Sequence, residues 1–554
     1  MAQRYNFFWK IQNLFPPNLS GEPYLQPQYH NKKILTMTYI KKIILHNFKR
    51  FVHLEVETSD DMNIFVGDNE SGKSSILQAI DLTARGSRFR VEELGLERLF
   101  NANTISEFME GDRNMLNLPE MYVELYINSC DNPQLNGCNN SKDIESFGIR
   151  MSCHPNASYS KQISQIISHE DAIFPLEFYT IDFETFDGTP YNGYTKYIKS
   201  IFIDNSQIGN PHAMREYVHK IYMAKVNEND RINNKHAYHS TKRKFQKESL
   251  AKFNAGIEPY KFCIKDSSDG NIETDINLEE NNVAIENKGT GRQCFIKTQL
   301  ALNTSVNDID VVLIEEPETH LSYLNMLKLI ELIKGSQNRQ LFISTHSDLI
   351  STRINLKKCI LLNSSGTTPT SLSGISDDTA KFFMKAPDNN MLQFVLSNKV
   401  ILVEGDAEFI LMEAMYKRVT QKELSKSGIG VIAVDGKCFK RYFEISKLLG
   451  IKVAVITDND TNYKDNINGI YNDCVTNNIQ VFSDTDNQRY TFEVCIYDDN
   501  KELLDNEFSN LKRNTTLQFM LANKAETAYR ILIKHADKLN VPQYIQNAIK
   551  WIDA

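Results

Sequence analysis

The chain contains several groups of residues whose types and spacing suit phosphate or metal chemistry. The first spans residues 67–75 and combines two glycines with a lysine and hydroxyl side chains. In such a loop, backbone amides at a helix N-terminus cradle phosphate, the lysine reaches the outer phosphates and the hydroxyl binds Mg²⁺. An apolar run at 62–66 and a helical pattern at 75–80 flank the group. We therefore predict an ATP and Mg²⁺ site formed by Gly67, Asn69, Gly72, Lys73, Ser74 and Ser75.

A second group follows the apolar run 311–314, which is typical of a buried parallel strand. Glu315 and Glu316 come directly after this run, at the strand end where open α/β sheets bind ligands. We predict that Glu315 shares Mg²⁺ with Ser74 and that Glu316 positions the water that attacks the γ-phosphate. A core strand that ends in a solvated acidic turn is the alternative interpretation of these residues alone.

The third group combines a histidine with a glycine-rich turn. His346 follows an apolar run about thirty residues after the second group, and it resembles the switch histidine of ABC-type ATPases, which contacts the γ-phosphate. Gly289 and Gly291, followed by a helical apolar run at 294–302, resemble a degenerate ABC signature. The family version binds nucleotide held by another subunit, so the resemblance implies a homodimer or higher homo-oligomer through the ATPase domain. A capping histidine and a chance glycine turn are the alternatives.

The fourth group is acidic. Glu404 follows an apolar strand pattern at 399–403, and Asp458 and Asp460 follow another at 452–456. Because the carboxyl ends of parallel strands meet at one sheet edge, these acids are expected to converge, with Glu408 on the same helix face four residues after Glu404. A site made only of oxygen ligands suits Mg²⁺ or Mn²⁺ better than zinc. Unrelated surface acids are the alternative.

Composition indicates a globular chain with more than one domain. Of its 554 residues, 41% are hydrophobic and 24% are charged, and the net charge is −8. No apolar run reaches 18 residues and the N-terminus lacks the pattern of a signal peptide, so we expect no membrane segment and a cytoplasmic protein. The nine cysteines are scattered without a C-x-x-C pair, which predicts reduced thiols rather than disulfides or a zinc site.

The spacing of these groups predicts an α/β fold with two domains. About 200 residues separate the first group from the signature-like turn, which is too long for one compact lobe without an insertion. The expected order is an N-terminal extension at 1–36, an ABC-type ATPase at 37–189 and 258–378 that ends in a polar linker, a helical dimerisation insertion at 190–257, and a C-terminal α/β domain at 379–554.

The predicted insertion contains a basic stretch in an otherwise acidic chain. Residues 215–252 include ten Lys or Arg and four Asp or Glu, interleaved with aromatic residues. Such a stretch is either a solvated helix face or a surface that follows a phosphate backbone.

The second half resembles the Toprim fold of topoisomerases, primases and some nucleases, because a strand with Glu-Gly, a strand with Gly and a strand with Asp-x-Asp follow one another at 399–460. An ABC-type ATPase followed by a Toprim domain resembles the OLD (overcoming lysogenisation defect) family of nucleases, which includes the nuclease of the Gabija anti-phage system. The motifs at 313–318, 344–347, 403–405 and 457–460 carry this resemblance. Family members also have a later metal-binding acid and a catalytic lysine, for which Glu493 and Lys524 are the best matches.

The resemblance implies a nucleotide-regulated DNA endonuclease that depends on a divalent metal and acts in anti-phage defence. Glu404, Asp458 and Asp460 would be its metal-binding catalytic residues, and Lys524 would stabilise the transition state. An ATP-driven DNA-clamping repair factor with a non-catalytic Toprim domain and an RNA-cleaving nuclease are the alternatives. Relatives act alone, beside a helicase, or with a retron reverse transcriptase and its RNA–DNA product, and each of these is a candidate partner.

Overall fold

The structure is a computed structural model. It describes residues 38–554 except 129–130, 170, 206–210, 255–260, 265–271, 304–308, 337–338, 364–367, 386–389, 435, 437 and 510–514. The predicted N-terminal extension, 1–36, lies outside the described residues.

The strands of the described chain are, in order, β1 (Ile40–Phe48), β2 (Phe51–Glu57), β3 (Met62–Gly67), β4 (Met121–Ile127), β5 (Asn136–Gly137), β6 (Ser146–Pro155), β7 (Tyr179–Thr185), β8 (Ser200–Asp204), β9 (Glu279–Glu280), β10 (Val283–Ala284), β11 (Val311–Glu315), β12 (Gln340–Thr345), β13 (Cys359–Leu362), β14 (Thr370–Ser371), β15 (Lys399–Val403), β16 (Ile429–Ala433), β17 (Lys452–Ile456) and β18 (Ile479–Phe482).

The helices are α1 (Lys73–Arg85), α2 (Arg88–Leu94), α3 (Leu96–Leu99), α4 (Ala102–Glu110), α5 (Ser160–Ile167), α6 (Pro211–Lys225), α7 (Glu228–Phe245), α8 (Ala251–Asn254), α9 (Ile272–Asp275), α10 (Thr290–Leu302), α11 (Tyr323–Gly335), α12 (Asp348–Asn355), α13 (Asp377–Lys385), α14 (Met391–Leu396), α15 (Asp406–Thr420), α16 (Phe439–Leu449), α17 (Gly469–Tyr471), α18 (Phe492–Asp499), α19 (Lys501–Glu507), α20 (Thr516–Ala522), α21 (Lys524–His535) and α22 (Gln543–Asp553). Among the described helices, none combines the length and the apolar character that crossing a membrane requires.

Two sheets build the predicted ATPase domain. The first is antiparallel, with strand order β2-β1-β4-β6-β5 and β7 paired to β6. The second has the order β14-β13-β3-β12-β11-β8, and its strands are parallel except for β14. Side chains alternate between the two faces of the second sheet, as the period of a strand requires. On β11, for example, Val312 and Ile314 face one hydrophobic core while Val311 and Leu313 face the other.

The third sheet builds the predicted Toprim domain. Its order is β16-β15-β17-β18, and all pairs are parallel. Helices α15 and α22 cover one face, where Ile401 and Val403 of β15 are buried. The other face places Val400 and Leu402 in the same core as the second sheet of the ATPase. The predicted α/β class is therefore confirmed, with two parallel sheets that share one hydrophobic core.

This shared core corrects the prediction that a polar linker separates the two domains. Residues 364–367 of that stretch lie outside the described residues, but Leu372 and Ile375 are fully buried in the shared core. Phe383 of α13 and Phe394 of α14 continue the same core. The connection is an integral layer of the fold because its apolar positions, which the many Ser and Thr residues around them obscured, pack against both sheets.

The predicted helical insertion also needs correction. Residues Ser200–Asp204 pair in parallel with β11 as the edge strand of the ATPase sheet, so the helical part begins after residue 204 and not at 190. The apolar face of α6 lies in the ATPase core, where Tyr217, Val218 and Ile221 are buried. That face is therefore used within the chain and is not free to form the predicted dimerisation contact. In α7, by contrast, no described residue is buried.

Candidate functional site

The phosphate loop connects β3 to α1 and needs glycine at both of its ends. A Cβ atom on Gly67 would lie 2.3 Å from the carbonyl oxygen of Leu362. Gly72 has φ of 95°, in the left-handed region, and a Cβ atom there would lie 2.3 Å from the ring of Phe51. Any side chain at either position would collide with its surroundings, so the loop can close tightly around the lysine that follows it.

Lys73 begins α1 and is buried inside this loop. Its ammonium group donates hydrogen bonds of 2.8 Å to the carbonyl oxygens of Gly67 and Asp68. Burial lowers the pKa of Lys73 to about 8, although nearby carboxylates, chiefly Glu316, oppose that shift. A partly desolvated cation held by neutral carbonyls is available to an incoming phosphate, since no ion pair has to be broken first.

The structure brings Ser74 and Glu315 together, as expected of two residues that share one metal ion. Burial raises the pKa of Glu315 to about 7, and the hydrogen bond from the Ser74 hydroxyl opposes this rise. The carboxylates of Asp204 and Glu316 contribute to this rise. A buried carboxyl beside two other acids is stabilised in its charged form by a cation, so this position fits a metal ion.

The acids that follow β11 reach the end of the neighbouring strand, β12. Glu316 adopts a left-handed backbone with φ of 42°, and its Oε1 lies 3.2 Å from Nε2 of His346. Glu318 accepts hydrogen bonds from the Thr345 hydroxyl at 2.6 Å and from the His346 amide at 2.8 Å. Glu318 therefore holds the histidine loop in place, a role that the sequence did not predict although the residue lies in the same motif.

Two cations that the sequence did not assign to the site lie at the turn between β1 and β2. Lys49 and Arg50 line the same pocket as the phosphate loop, and the guanidinium of Arg50 donates to the carbonyl oxygen of Glu70. The described residues that line this pocket are Lys49, Arg50, Asn69, Glu70, Gly72, Lys73, Ser74, Ser75, Glu316 and His346. Both new residues add positive charge where a nucleotide phosphate is expected.

The two signature-like glycines are not among the described residues that line this pocket. Gly289 precedes α10, and a Cβ atom on it would meet nothing within 4 Å. A Cβ atom on Gly291 would lie 2.3 Å from the carbonyl oxygen of His320, so that glycine is required for close packing within the chain. Gly291 therefore has a packing role within the chain, whereas the space around Gly289 is unoccupied by described residues.

A second group of acids lies where β15 and β17 end side by side in parallel register. Glu404 follows β15, and its Oε2 accepts hydrogen bonds from the Thr457 hydroxyl at 2.8 Å and the Asp458 amide at 3.3 Å. Asp458 follows β17, and its Oδ1 accepts a hydrogen bond of 2.8 Å from the Phe492 amide. Two strand ends and the start of α18 therefore fix the positions of these acids.

Four carboxyls in this group influence one another. The pKa of Asp458 is raised to about 8, chiefly by burial and also by the charges of Glu408, Glu404 and Glu493. Burial likewise raises the pKa of Glu408 to about 7, with additional contributions from Glu493 and Glu404. Mutual repulsion of this kind in a buried cluster is relieved by proton uptake or by a bound cation.

Lys524 supplies one positive charge to the cluster. It begins α21, and its ammonium lies 3.0 Å from Oε2 of Glu493. Burial lowers the pKa of Lys524, but Glu493 more than compensates, so that the net shift is upward. Glu493 and Lys524, which were placed only by family resemblance, are thus brought together beside the predicted Toprim acids.

Asp460 is placed differently from its predicted partners. Its side chain is exposed and its backbone has φ of 47°. The preceding Asn459 is buried and donates hydrogen bonds of 2.9 Å to the carbonyl oxygens of Asp484 and Asp486. That anchored turn directs the chain away from the strand, so Asp460 lies at the rim and not in the buried group.

The donor set of the acidic group fits a hard divalent cation, because four carboxyls face a single lysine and all the donors are oxygen. As they stand, no three acidic, histidine or cysteine side chains among the described residues are close enough to hold one ion. At Glu493, the ammonium of Lys524 supplies the positive charge that a metal ion would otherwise provide.

Comparisons with known families match both halves of the chain. The AAA ATPase domain family matches residues 38–255, which contain the phosphate loop. The family described as overcoming lysogenization defect protein-like, TOPRIM domain, matches residues 395–460, which contain Glu404, Glu408 and Asp458. The chain therefore combines an AAA ATPase domain with a Toprim domain like that of overcoming lysogenization defect proteins. Glu315, His346, Glu493 and Lys524 lie outside both matched ranges, so their assignment depends on the geometry above.

Curated relatives align over limited stretches. The Old nuclease of Escherichia phage P2 is 27% identical over 161 residues, which is 27% of this chain and 28% of that protein. The DNA replication and repair protein RecF of Clostridium botulinum (strain Eklund 17B / Type B) is 43% identical over 42 residues, 8% of this chain and 12% of that protein. The chain thus spans less than a third of the length of either relative.

Two solved structures represent the two halves. The recombination mediator protein RecF with ATP has 12% identity and a TM-score of 0.34, and the match covers 62% of this chain and 100% of that chain. The C-terminal region of the Burkholderia pseudomallei OLD protein has 20% identity and a TM-score of 0.23, with 28% of this chain and 97% of that chain covered.

Proposed function

We propose that the chain is a nucleotide-regulated, divalent-metal-dependent DNA endonuclease of anti-phage defence. The observation that carries this proposal is the buried group of four carboxyls beside Lys524 at the edge of the Toprim sheet. A domain that only bound DNA would gain nothing from concentrating negative charge where the DNA backbone must approach, because like charges repel. The resemblance to OLD-family nucleases favours the role in defence.

Within this proposal each residue of the acidic group has a defined task. Glu404, Glu408, Asp458 and Glu493 would hold Mg²⁺ or Mn²⁺, and Asp460 would contribute from the rim. A bound divalent ion supplies an activated water and stabilises the leaving oxygen. Thr457 orients the Glu404 carboxylate through its 2.8 Å hydrogen bond. Lys524 places its ammonium where negative charge develops on the scissile phosphate.

The phosphate-loop site would bind ATP with Mg²⁺ and regulate cleavage. Lys73, Lys49 and Arg50 would contact the phosphates, Ser74 and Glu315 would hold Mg²⁺, and Glu316 and His346 would position water at the γ-phosphate. Gly289, which is open on the surface, would face nucleotide bound by a second copy in a homodimer or higher homo-oligomer. Light scattering with and without ATP tests this assembly, and a monomer under both conditions would contradict it.

Because short segments align with RecF, a DNA-clamping repair factor with a non-catalytic Toprim domain is the second candidate. A helicase or a retron reverse transcriptase with its RNA–DNA product would be an additional partner of either function. Cleavage assays separate the two candidates, since a clamping factor binds DNA without cutting it.

The test is nicking of supercoiled plasmid in Mg²⁺ and in Mn²⁺ by the wild type and by Asp458→Ala. Loss of a metal-binding carboxylate should reduce cleavage by roughly three orders of magnitude or more while ATP turnover is kept. The matched control is Asp473→Ala, which removes an exposed carboxyl of the same domain and should cleave normally. Equal nicking by wild type and Asp458→Ala would move the assignment to the clamping factor, and cleavage of RNA but not plasmid would identify a ribonuclease.

A further inference from the structure

One side of α7 carries a stripe of lysine, arginine and histidine side chains that the ATPase and Toprim sites do not use. Its members are Lys235, His236, His239, Arg243, Lys244 and Lys247, and they line one shallow groove that extends into the π-helical turn Gln246–Leu250. Their spacing of three or four residues, with adjacent pairs, places them on a single helix face. From Lys235 to Lys247 the stripe rises about 18 Å at 1.5 Å per residue, roughly the length of five base pairs.

The lysines and arginine of this stripe have no ion-pair partner within the part of the chain that the structure describes, although one carboxylate, Glu248, lines the same groove. No described carboxylate forms an ion pair with Lys235, Arg243, Lys244 or Lys247. Lys242, which directly precedes Arg243, behaves differently, because it lies 3.6 Å from Asp275, which also accepts a hydrogen bond from Tyr238. Asp275 is thus engaged by Lys242 and Tyr238, and the stripe keeps a net positive charge, with four lysine or arginine side chains and one glutamate.

The composition of the stripe also distinguishes among partners. Protein interfaces are depleted in lysine and enriched in aromatic anchors, whereas this groove contains a single large apolar side chain, Ile232. A second copy of the chain that docked by two-fold symmetry would place the stripe against itself and repel. A long, regularly spaced array of cations is instead complementary to a phosphate backbone.

We propose that the α7 stripe binds the phosphate backbone of double-stranded DNA and holds the duplex on the ATPase domain. This inference rests on the proposed DNA endonuclease function and adds the surface that captures the substrate. Such contacts read no base sequence, because they reach only phosphate. They would offset the net charge of −8, which by itself disfavours approach to DNA.

The test measures binding of a fluorescent 30-base-pair duplex to full-length protein in EDTA at several salt concentrations. The variant combines Arg243→Ala, Lys244→Ala and Lys247→Ala. Its charge-matched control combines Lys161→Ala, Lys328→Ala and Lys381→Ala, three exposed lysines on other elements. Removing three phosphate contacts should weaken binding at least tenfold near 0.15 M salt and make the slope of log K against log salt shallower by about 2.7. The control should bind as the wild type does, and both triple variants should keep ATP turnover.

Several outcomes would overturn the proposal. Wild-type affinity and salt slope in the α7 variant, in a protein that cuts plasmid, would overturn the stripe assignment and leave the endonuclease function standing. If light scattering gives the α7 variant a different mass from the wild type while DNA binding is unchanged, the stripe would be an interface between copies of the chain. If the α7 variant keeps its affinity for duplex DNA but loses affinity for a duplex RNA of the same length, the stripe would be assigned to RNA. If the wild type neither binds nor cuts DNA, the proposed function itself fails together with this inference.

Discussion

The two sheet edges that carry acidic residues differ in the charge that surrounds them. Both place buried carboxyls at the carboxyl ends of parallel strands, and burial raises the pKa of Glu315 to about 7 and that of Asp458 to about 8. At the ATPase edge the acids face Lys49, Arg50 and Lys73. At the Toprim edge, Lys524 is the cation that the described residues place beside four carboxyls.

This difference indicates what each edge is built to bind. Cations and acids in one pocket suit a ligand that brings both signs, such as a nucleotide polyphosphate with its metal ion. A nearly unopposed group of carboxyls suits cations, and a phosphate can approach it only after cations have bound. Charge variants at the two edges should therefore have separable effects, on cleavage at one and on nucleotide at the other.

The largest effect is expected at the Toprim edge, where Lys524→Ala removes the positive side chain that pairs with Glu493. Cleavage should fall by about two to three orders of magnitude, because a cation that acts on developing charge is lost. Metal binding, measured by calorimetry with Mn²⁺, should be kept or strengthened, since Glu493 is released from its 3.0 Å ion pair. Lys534→Ala, on the same helix, is the matched control. Loss of metal binding in Lys524→Ala would mean that the lysine organises the acids instead.

At the ATPase edge, Lys73→Ala and Glu316→Gln should separate nucleotide binding from turnover. Lys73→Ala removes the cation inside the phosphate loop, so ATP affinity should fall by about a hundredfold. Glu316→Gln keeps the shape of the side chain and loses the carboxylate that faces His346, so ATP should bind while hydrolysis slows by about a hundredfold. Calorimetry and phosphate release measure the two quantities. Equal affinity and equal turnover in both variants would contradict the assignment of this pocket.

The acids of both edges could be predicted because they follow apolar strands directly, so the parallel-sheet rule places them. Lys49 and Arg50 could not, since their approach depends on the packing of the β1–β2 turn against the loop, where Phe51 meets Gly72. Asp460 was placed too deep because the pattern gives no sign that the buried Asn459 amide anchors a turn after the strand and directs Asp460 to the rim. The shared core was missed because the apolar residues of the connection are isolated among polar ones.

A smaller effect at the Toprim edge tests how the acids are positioned. Thr457→Val keeps the volume of the side chain and removes the hydroxyl that donates to Glu404. Cleavage should fall by about tenfold, as expected when a hydrogen bond to a metal-binding carboxylate is lost. Because this role is indirect, Thr457→Ser should restore most of the activity, and raised Mn²⁺ should rescue Thr457→Val. Failure of both rescues would indicate a packing defect and remove Thr457 from the site.

A third buried charge cluster sharpens the comparison because its charges are balanced. Between α1 and α6, Arg85 lies 2.7 Å from Asp81 and also pairs with Glu216, while Lys220 lies 4.0 Å from Asp81 and 3.8 Å from Glu216. Two cations therefore face two acids, and no external ion is needed. The ammonium of Lys220 is enclosed without a hydrogen-bond acceptor among the described residues, although 20% of its side chain is exposed and the residue lines a cavity.

The pKa of Lys220 is lowered to about 8, chiefly by burial and also by the positive charge of Arg85. The negative charge of Asp81 opposes this shift. In the unfolded chain a lysine has a pKa of about 10.4, so the unfolded state binds more protons between about pH 8 and pH 10.4. The free energy of unfolding contributed by this group therefore rises with pH across that window, by at most about 3 kcal/mol at 1.36 kcal/mol per pKa unit.

Lys220→Met should be as stable as the wild type near pH 7 or more so, because it removes a buried charge, and its stability should not rise at higher pH. Urea unfolding at pH 7.5 and 9.5 measures this difference. Parallel pH profiles for the two proteins would show that the ammonium is solvated through the cavity, and the cluster would then resemble the two open sheet edges more than a closed ionic core.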